Sequence, residues 1–142
     1  MVYQASDDAA TLVRYFGSDS KVDIPAELGG KPVTEIGEWA FAYCSSLTEV
    51  TIPKSVTSIE YFAFCDCGAL ATVYYGGTQE DWDALKNTID NGNNPLKNAT
   101  IMYTPQESDF TYTENDTGVT ITGYTGPATV SYTHLTLPTI RL

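Results

Sequence analysis

The residue types that carry most protein chemistry are scarce in this chain of 142 residues. Its one histidine is His134, near the C-terminus, so neither a histidine-based triad nor a histidine metal site has support. There are three cysteines, Cys44, Cys65 and Cys67. Cys65-Asp-Cys67 is not half of a zinc ribbon, because no second pair exists. Cys44 and Cys67 each stand three residues before a leucine, Leu47 and Leu70. They read as a buried column of small apolar thiols. A Cys44–Cys67 disulfide is the alternative and needs Cα atoms within about 7 Å. Carboxylates are abundant, and two held a few ångströms apart could act as a glycosidase pair, but no spacing nominates which two. Asp90-Asn-Gly-Asn-Asn94 lacks the acids and the closing Glu of an EF-hand loop and reads as a helix-ending turn. Gly29-Gly30 and Gly76-Gly77 read as turns, and no phosphate-cradling loop occurs. The sequence nominates no catalytic residue, no cofactor-binding residue and no metal ligand, and it points away from an enzyme.

What the chain has instead is a repeat that must build a surface. At an offset of 23 residues, eight positions of 33–53 recur in 56–76: Val33/Val56, Thr34/Thr57, Ile36/Ile59, Ala40/Ala63, Phe41/Phe64, Cys44/Cys67, Leu47/Leu70 and Val50/Val73. All but the threonine pair are apolar or cysteine. A coil this small cannot bury its own inner face, so it must stack on a neighbour, which makes the chain a solenoid. Within a coil, residues 33–36 are β-rich and 38–44 read as a compact corner of one helical or 3₁₀ turn. Residues 47–52 alternate with period two, placing Val50 and Ile52 on one face and Glu49 and Thr51 on the other.

Flanking segments follow from the same cues. Residues 11–24 read as two short strands around Gly17-Ser-Asp-Ser20, and 28–32 as a turn-rich link. Thr78 with Asp81 three residues on is a capping-box signature. Trp82, Leu85 and Ile89 then fall at i, i+3 and i+7 of a helix that 91–95 would end. Residues 99–103 alternate as a strand, so helix plus strand read as a C-terminal cap. Residues 104–109 are a polar linker. Residues 110–131 read as a β hairpin opening a second unit, with Val13/Ile121, Phe16/Tyr124 and Val22/Val130 coinciding at an offset of 108.

The net charge is −11, which makes nucleic acid and anionic membranes poor partners. No run approaches the ~20 apolar residues of a membrane-spanning helix. Residues 1–8 lack the basic and apolar regions of a secretory signal. A binding surface is the better expectation. Outward positions of the main sheet are Lys21 and Asp23, then Glu49 and Thr51, Thr72 and Tyr74, Thr100 and Met102. They form a stacked column in which Tyr74 is the natural anchor; the bland alternative is a solvated sheet face. Trp39 and Phe62, at one repeat position, read as corner packing rather than a ligand platform.

The pattern V-T-x-I-x-x-x-A-F-x-x-C-x-x-L-x-x-V-x-I-P, with Ile24-Pro25 and Gly30-Lys-Pro-Val-Thr34 before it, resembles the BspA-type leucine-rich repeat family of bacterial surface proteins. Residues 73–82 and 96–101 are similar to the closing segment of such arrays. The resemblance covers about residues 11–103, and 110–131 more weakly. It implies a β-rich leucine-rich-repeat solenoid, extracellular or at the cell surface, binding a host or cell-surface protein in an adhesin-like, non-catalytic role. The alternative is a spacer or glycan-binding accessory unit of a larger secreted enzyme. Two departures stand out. Only two full coils are present, and the segment from Ser131 to Thr139 resembles a recurrent artefactual tail of misassembled reading frames. Residues 132–142 are therefore expected to be non-native or disordered, in a piece of a longer protein. The expected division is a solenoid over 1–103, a linker over 104–109, a hairpin over 110–131 and a tail beyond.

Overall fold

The computed structural model describes residues 1–104 and 109–126. Short alternating runs ended by Pro and Gly fold as short strands. In chain order they are β1 (Val2–Ala5), β2 (Ala10–Arg14), β3 (Lys21–Asp23), β4 (Glu27–Leu28), β5 (Lys31–Ile36), β6 (Glu49–Ile52), β7 (Ser58–Ile59) and β8 (Thr72–Tyr75). Helices α1 (Gln79–Lys86) and α2 (Asn94–Asn98) follow, then β9 (Thr100–Tyr103), β10 (Phe110–Asn115) and β11 (Gly118–Tyr124).

Two parallel ladders run through the coils. One is β2–β5–β7, with β1 antiparallel on the outer edge of β2. The other is β3–β6–β8–β9, parallel throughout. The two strands around 17–20 therefore enter different sheets. The link at 28–32 is a tight β4–β5 hairpin in which Gly29 and Gly30 both take positive φ, 60° and 75°. That turn demands two left-handed residues, which glycine supplies without steric cost.

Inward positions of the ladders meet as rows. Val22, Val50 and Val73 form one buried row, and Ile24, Ile52, Tyr75 and Tyr103 another. Leu12, Ile36 and Ile59 line the facing ladder. At the corner Phe41 stacks on Phe64 with ring centroids 4.9 Å apart, and Ala40, Ala63, Leu47 and Leu70 fill the space around them. Of the eight repeated pairs, the threonines stay outside the core and Cys44 is half-buried; the rest are buried on both sides.

The corner is not a helical or 3₁₀ turn. It is a run of tight turns in which Ala40 donates to Gly37 O, Ala42 to Trp39 O and Cys44 to Phe41 O, each at 3.2 Å. The intervening N–H groups of Trp39, Phe41 and Tyr43 point to the next coil and donate to Tyr61 O, Ala63 O and Cys65 O at 3.2, 2.7 and 2.8 Å. A helix would keep all these donors within one coil. Sending alternate ones outward puts Trp39, Tyr43, Phe62 and Asp66 in the left-handed region, at φ of 60°, 65°, 55° and 55°. For a non-glycine residue that conformation costs roughly 1–2 kcal/mol.

Beyond the second coil, Thr78 caps α1 with both bonds of the box: its hydroxyl accepts from Asp81 N–H at 3.2 Å, and Asp81 Oδ2 accepts from Thr78 N–H at 3.0 Å. Trp82 and Leu85 face inward, Trp82 against Tyr75 at 5.2 Å. The helix closes at Asn87, so Ile89 lies past it and is buried from the following turn, not from the helical face. Residues 90–94 do more than end a helix. Asn93 is fully buried: its Oδ1 accepts from Phe64 N–H at 2.8 Å and its Nδ2 donates to Glu60 O at 3.0 Å. In the preceding coil the equivalent donor, Phe41 N–H, is taken by Ala63 O.

The hairpin β10–β11 repeats β1–β2 pair for pair. Tyr3↔Leu12, Gln4↔Thr11 and Ala5↔Ala10 map on Tyr112↔Ile121, Thr113↔Thr120 and Glu114↔Val119, and both hairpins carry a bulge one residue before the tyrosine. The offset is 109 (112 − 3), one more than sequence comparison suggests. Ile121 thus corresponds to buried Leu12, not to exposed Val13. Val130 and the tail 132–142 lie outside the described residues, as does most of the linker.

Two classes of substitution separate core from surface in urea unfolding. Leu47→Ala and Phe64→Ala should each cost roughly 2–5 kcal/mol, and Thr51→Ala under about 1 kcal/mol. Asn93→Ala should approach the core class, because it leaves Phe64 N–H buried without a partner, at roughly 1–3 kcal/mol, and empties a fully buried site; Glu60 O keeps its bond from Ala63 N–H. Equal losses at Thr51 and Phe64 would overturn the inward–outward assignment.

Candidate binding surface

Because strands alternate, the ladder that buries Val22, Val50 and Val73 turns their neighbours outward. The register sets Lys21, Glu49, Thr72 and Thr100 in one outward row, and Asp23, Thr51, Tyr74 and Met102 in the next. All six residues nominated from sequence therefore lie on one sheet face. Glu49, Thr51, Thr72, Tyr74 and Met102 are half-buried and Thr100 is exposed. At one edge Lys21 Nζ pairs with Glu49 Oε1 at 3.1 Å, with the lysine largely in solvent, so the pair adds little stability. The Thr51 hydroxyl donates to Asp23 Oδ1. This face can offer hydroxyls for hydrogen bonding and, through Tyr74 and Met102, apolar contact on a backbone fixed by its ladder.

A groove of about 360 Å³ runs between α1 and the turn after β6, lined by Lys54, Val56, Thr57, Tyr75, Asp81, Ala84 and Leu85. Lys54 Nζ and Asp81 Oδ2 lie 3.7 Å apart across it. Among the described residues no three His, Cys, Asp or Glu side chains converge to hold a metal ion. The Asp90 carboxylate is occupied locally, accepting from Gly92 N–H at 3.0 Å and from Asn93 Nδ2 at 2.6 Å. His134 lies outside the described residues.

All three cysteines are free thiols. Cys67 is buried, its Sγ donating to Phe41 O at 3.1 Å, and burial pushes this thiol up to about 12. Burial likewise raises Cys44, Tyr75 and Tyr103 above their ordinary values. Asp81 is held below its ordinary 3.8, first by the Thr78 amide and then by the Thr78 hydroxyl.

Trp39 and Phe62, expected as corner packing, do stack, at 4.6 Å and 14°, and Phe62 also reaches solvent beside exposed Tyr43 and Tyr61. Their recurrence at one repeat position was visible, whereas the left-handed backbone beneath them was not. Asn93 gave no cue, being one asparagine among four within residues 91–98.

A family model described as "BspA type Leucine rich repeat region (6 copies)" matches residues 20–117, from the start of the main ladder into the last hairpin. No curated protein matches the chain. Among solved structures, a leucine-rich repeat protein from Bacteroides capillosus ATCC 29799 is 30% identical, covering 72% of this chain and 93% of that one, with a TM-score of 0.50. The T. pallidum leucine-rich repeat protein is 29% identical over 59% of this chain and 44% of its own, with a TM-score of 0.49. A leucine-rich cell surface protein from Faecalibacterium prausnitzii A2-165 is 28% identical over 71% of this chain, with a TM-score of 0.47. The chain spans only 44% and 30% of the latter two.

The buried thiol and phenols set the response to alkali. Each is protonated in the folded state at a pH where the unfolded chain has begun to ionise, so their stabilisation is complete below the ordinary thiol value of 9.0 and is lost above it. Asp81 acts in the opposite sense, its contribution being lost as pH falls below 3.8. Urea midpoints should therefore be level from pH 5 to about 8 and fall above about 9. Without reductant, Cys67 should label with iodoacetamide only on unfolding, and the unfolded chain should show three thiols. A single thiol would reveal a disulfide.

Proposed function

From the premise that this chain belongs to the BspA-type leucine-rich repeat family, we propose that it is a non-catalytic protein-binding module, secreted or displayed at the bacterial surface. The ligand lies on the outward face of β3–β6–β8–β9, with Tyr74 and Met102 as apolar anchors and Glu49, Thr51, Thr72 and Thr100 as polar surround. The observation that carries this reading is the register. Within each of two rows, side chains from successive strands stand about 4.8 Å apart on a backbone whose other face is the core. Such a face can change its chemistry with little consequence for folding, and its backbone needs no ordering on binding, so the entropic cost falls on side chains alone.

In this reading residues 1–103 are the solenoid and 78–103 its cap. The side chain of Asn93 supports the cap assignment by satisfying the corner where a further coil would. Residues 104–109 are a linker and 110–131 the opening of a second unit, supported by the 109-residue equivalence of the two hairpins. The same modularity is what favours the second reading, a spacer or glycan-binding accessory unit within a larger secreted enzyme.

The test is saturable binding of the full chain to a panel of extracellular-matrix and bacterial surface proteins, beside neutral oligosaccharides. Tyr74→Ala should weaken the bound partner at least about tenfold, or roughly 1.4 kcal/mol, while costing the fold no more than about 1 kcal/mol of strand propensity. Saturable binding to oligosaccharides alone would select the accessory-unit reading. Protein binding indifferent to Tyr74 and Met102 would remove the sheet face from the proposal.

A further inference from the structure

We propose a second binding site, at the coil corners, that takes an arginine-bearing cationic peptide segment. It is independent of the sheet face. In each coil the third residue of two tight turns is left-handed, the place where turn chemistry calls for Gly or Asn. Glycine there would keep every backbone bond of the corner. The chain instead holds Trp39, Tyr43, Phe62 and Asp66 at these places, and strain of this kind points to a role for the side chains that incur it.

Those side chains form a connected, solvent-facing strip. Trp39 lies parallel to Phe62 at 4.6 Å and to Tyr43 at 6.4 Å. Tyr43 is 64% exposed and the adjoining Tyr61 62%. The strip is acidic and carries no lysine or arginine of its own: residues 37–47 and 60–70 contain Glu38, Glu60 and Asp66 and no base. Glu38 Oε1 accepts from Trp39 Nε1 at 3.0 Å, which places a carboxylate at the edge of the indole. The charge and the chemistry both ask for a cation.

One guanidinium from within the chain already occupies the margin. Arg14 Nη1 donates to Trp39 O at 2.7 Å, and its Cζ lies 6.0 Å from the centroid of the Phe16 ring. Phe16 is 77% exposed. This is the geometry expected of arginine on an aromatic surface, a planar donor fork combined with ring contact that lysine reproduces less well. A partner segment would extend the same contacts across Trp39 and Tyr43, with Glu38 and Asp66 receiving the remaining donors.

The experiment uses the full chain and three labelled twelve-residue Gly/Ser peptides carrying four arginines, four lysines or four citrullines, read by anisotropy at 150 mM salt. The arginine peptide should bind at least tenfold more tightly than the citrulline peptide and severalfold more tightly than the lysine one. It should quench tryptophan emission, which reports Trp39 because Trp82 is only 2% exposed. Tyr43→Gly should weaken binding at least tenfold while leaving the melting temperature level or higher, since glycine relieves the left-handed backbone; Trp39→Gly should weaken it as much, with the lost stacking on Phe62 offset only in part by the same relief. Asp66→Asn should weaken it and Glu80→Gln, on α1, should not. Equal loss in Asp66→Asn and Glu80→Gln with no loss in Trp39→Gly would mean diffuse attraction to an acidic protein and would overturn the site. Equal affinity for all three peptides would do the same.

Discussion

The backbone hydrogen bonds of one coil are completed only by its neighbour. At the corner the amides of Trp39, Phe41 and Tyr43 are satisfied only by the carbonyls of Tyr61, Ala63 and Cys65, and in the main ladder β6 is satisfied by β8. A buried amide without a partner is costly, so coil length is fixed wherever such ladders run. One residue more or fewer between Gly37 and Ile52 would shift these bonds and the Phe41–Phe64 and Val50–Val73 contacts together. Where the chain does depart from 23 it does so between ladders. Lys21 pairs with Glu49 and Thr72 with Thr100, both 28 residues apart (49 − 21 and 100 − 72). The extra residues are taken up by the β4–β5 hairpin in one case and by the α1–α2 segment in the other, both outside the repeating corner.

The same constraint explains the ending of the array. A last coil leaves donors and acceptors that the next would have met, and among them the N–H of Phe64 belongs to a fully buried residue. Asn93 answers this with a side-chain amide, which is a peptide group on a stalk: its oxygen stands where Ala63 O stands one coil earlier, and its nitrogen serves Glu60 O. Asp90 fixes the amide's orientation by accepting from Nδ2. Gly92 lets this turn approach, since a Cβ there would collide with the Phe62 ring.

Sequence made the core legible because the core is what recurs. A residue buried between coils is under the same demand in each, so Ile36/Ile59 and Phe41/Phe64 repeat, and alternation around Val50 and Val73 identifies the outward rows. The corner path was illegible because its left-handed positions carry Trp, Tyr, Phe and Asp in place of the residues that announce such turns. Ile89 kept helical spacing after the helix had closed at Asn87, since a buried residue need only face the core, whatever backbone brings it there. The hairpin equivalence slipped by one because Leu12 and Val13 are both apolar. Only pairing distinguishes the one that faces inward.

These facts weigh differently on the two exposed surfaces. Thr and Tyr on the sheet face are good strand formers, and Thr51, Thr72 and Tyr74 would suit a ladder whatever it bound, so their presence asks for no cause beyond the fold. The corner is the reverse. Trp39, Tyr43 and Phe62 occupy backbone that favours glycine, so local propensity opposes them. Ring stacking between coils returns some of that cost at Trp39 and Phe62. Tyr43 has no such partner in the next coil, where Asp66 takes its place, and it stands in solvent on strained backbone. Its one ring neighbour is Trp39, at 6.4 Å within its own coil, which repays little of the backbone cost. Tyr43, more than any residue of the sheet face, is therefore the place where the fold alone does not account for the side chain.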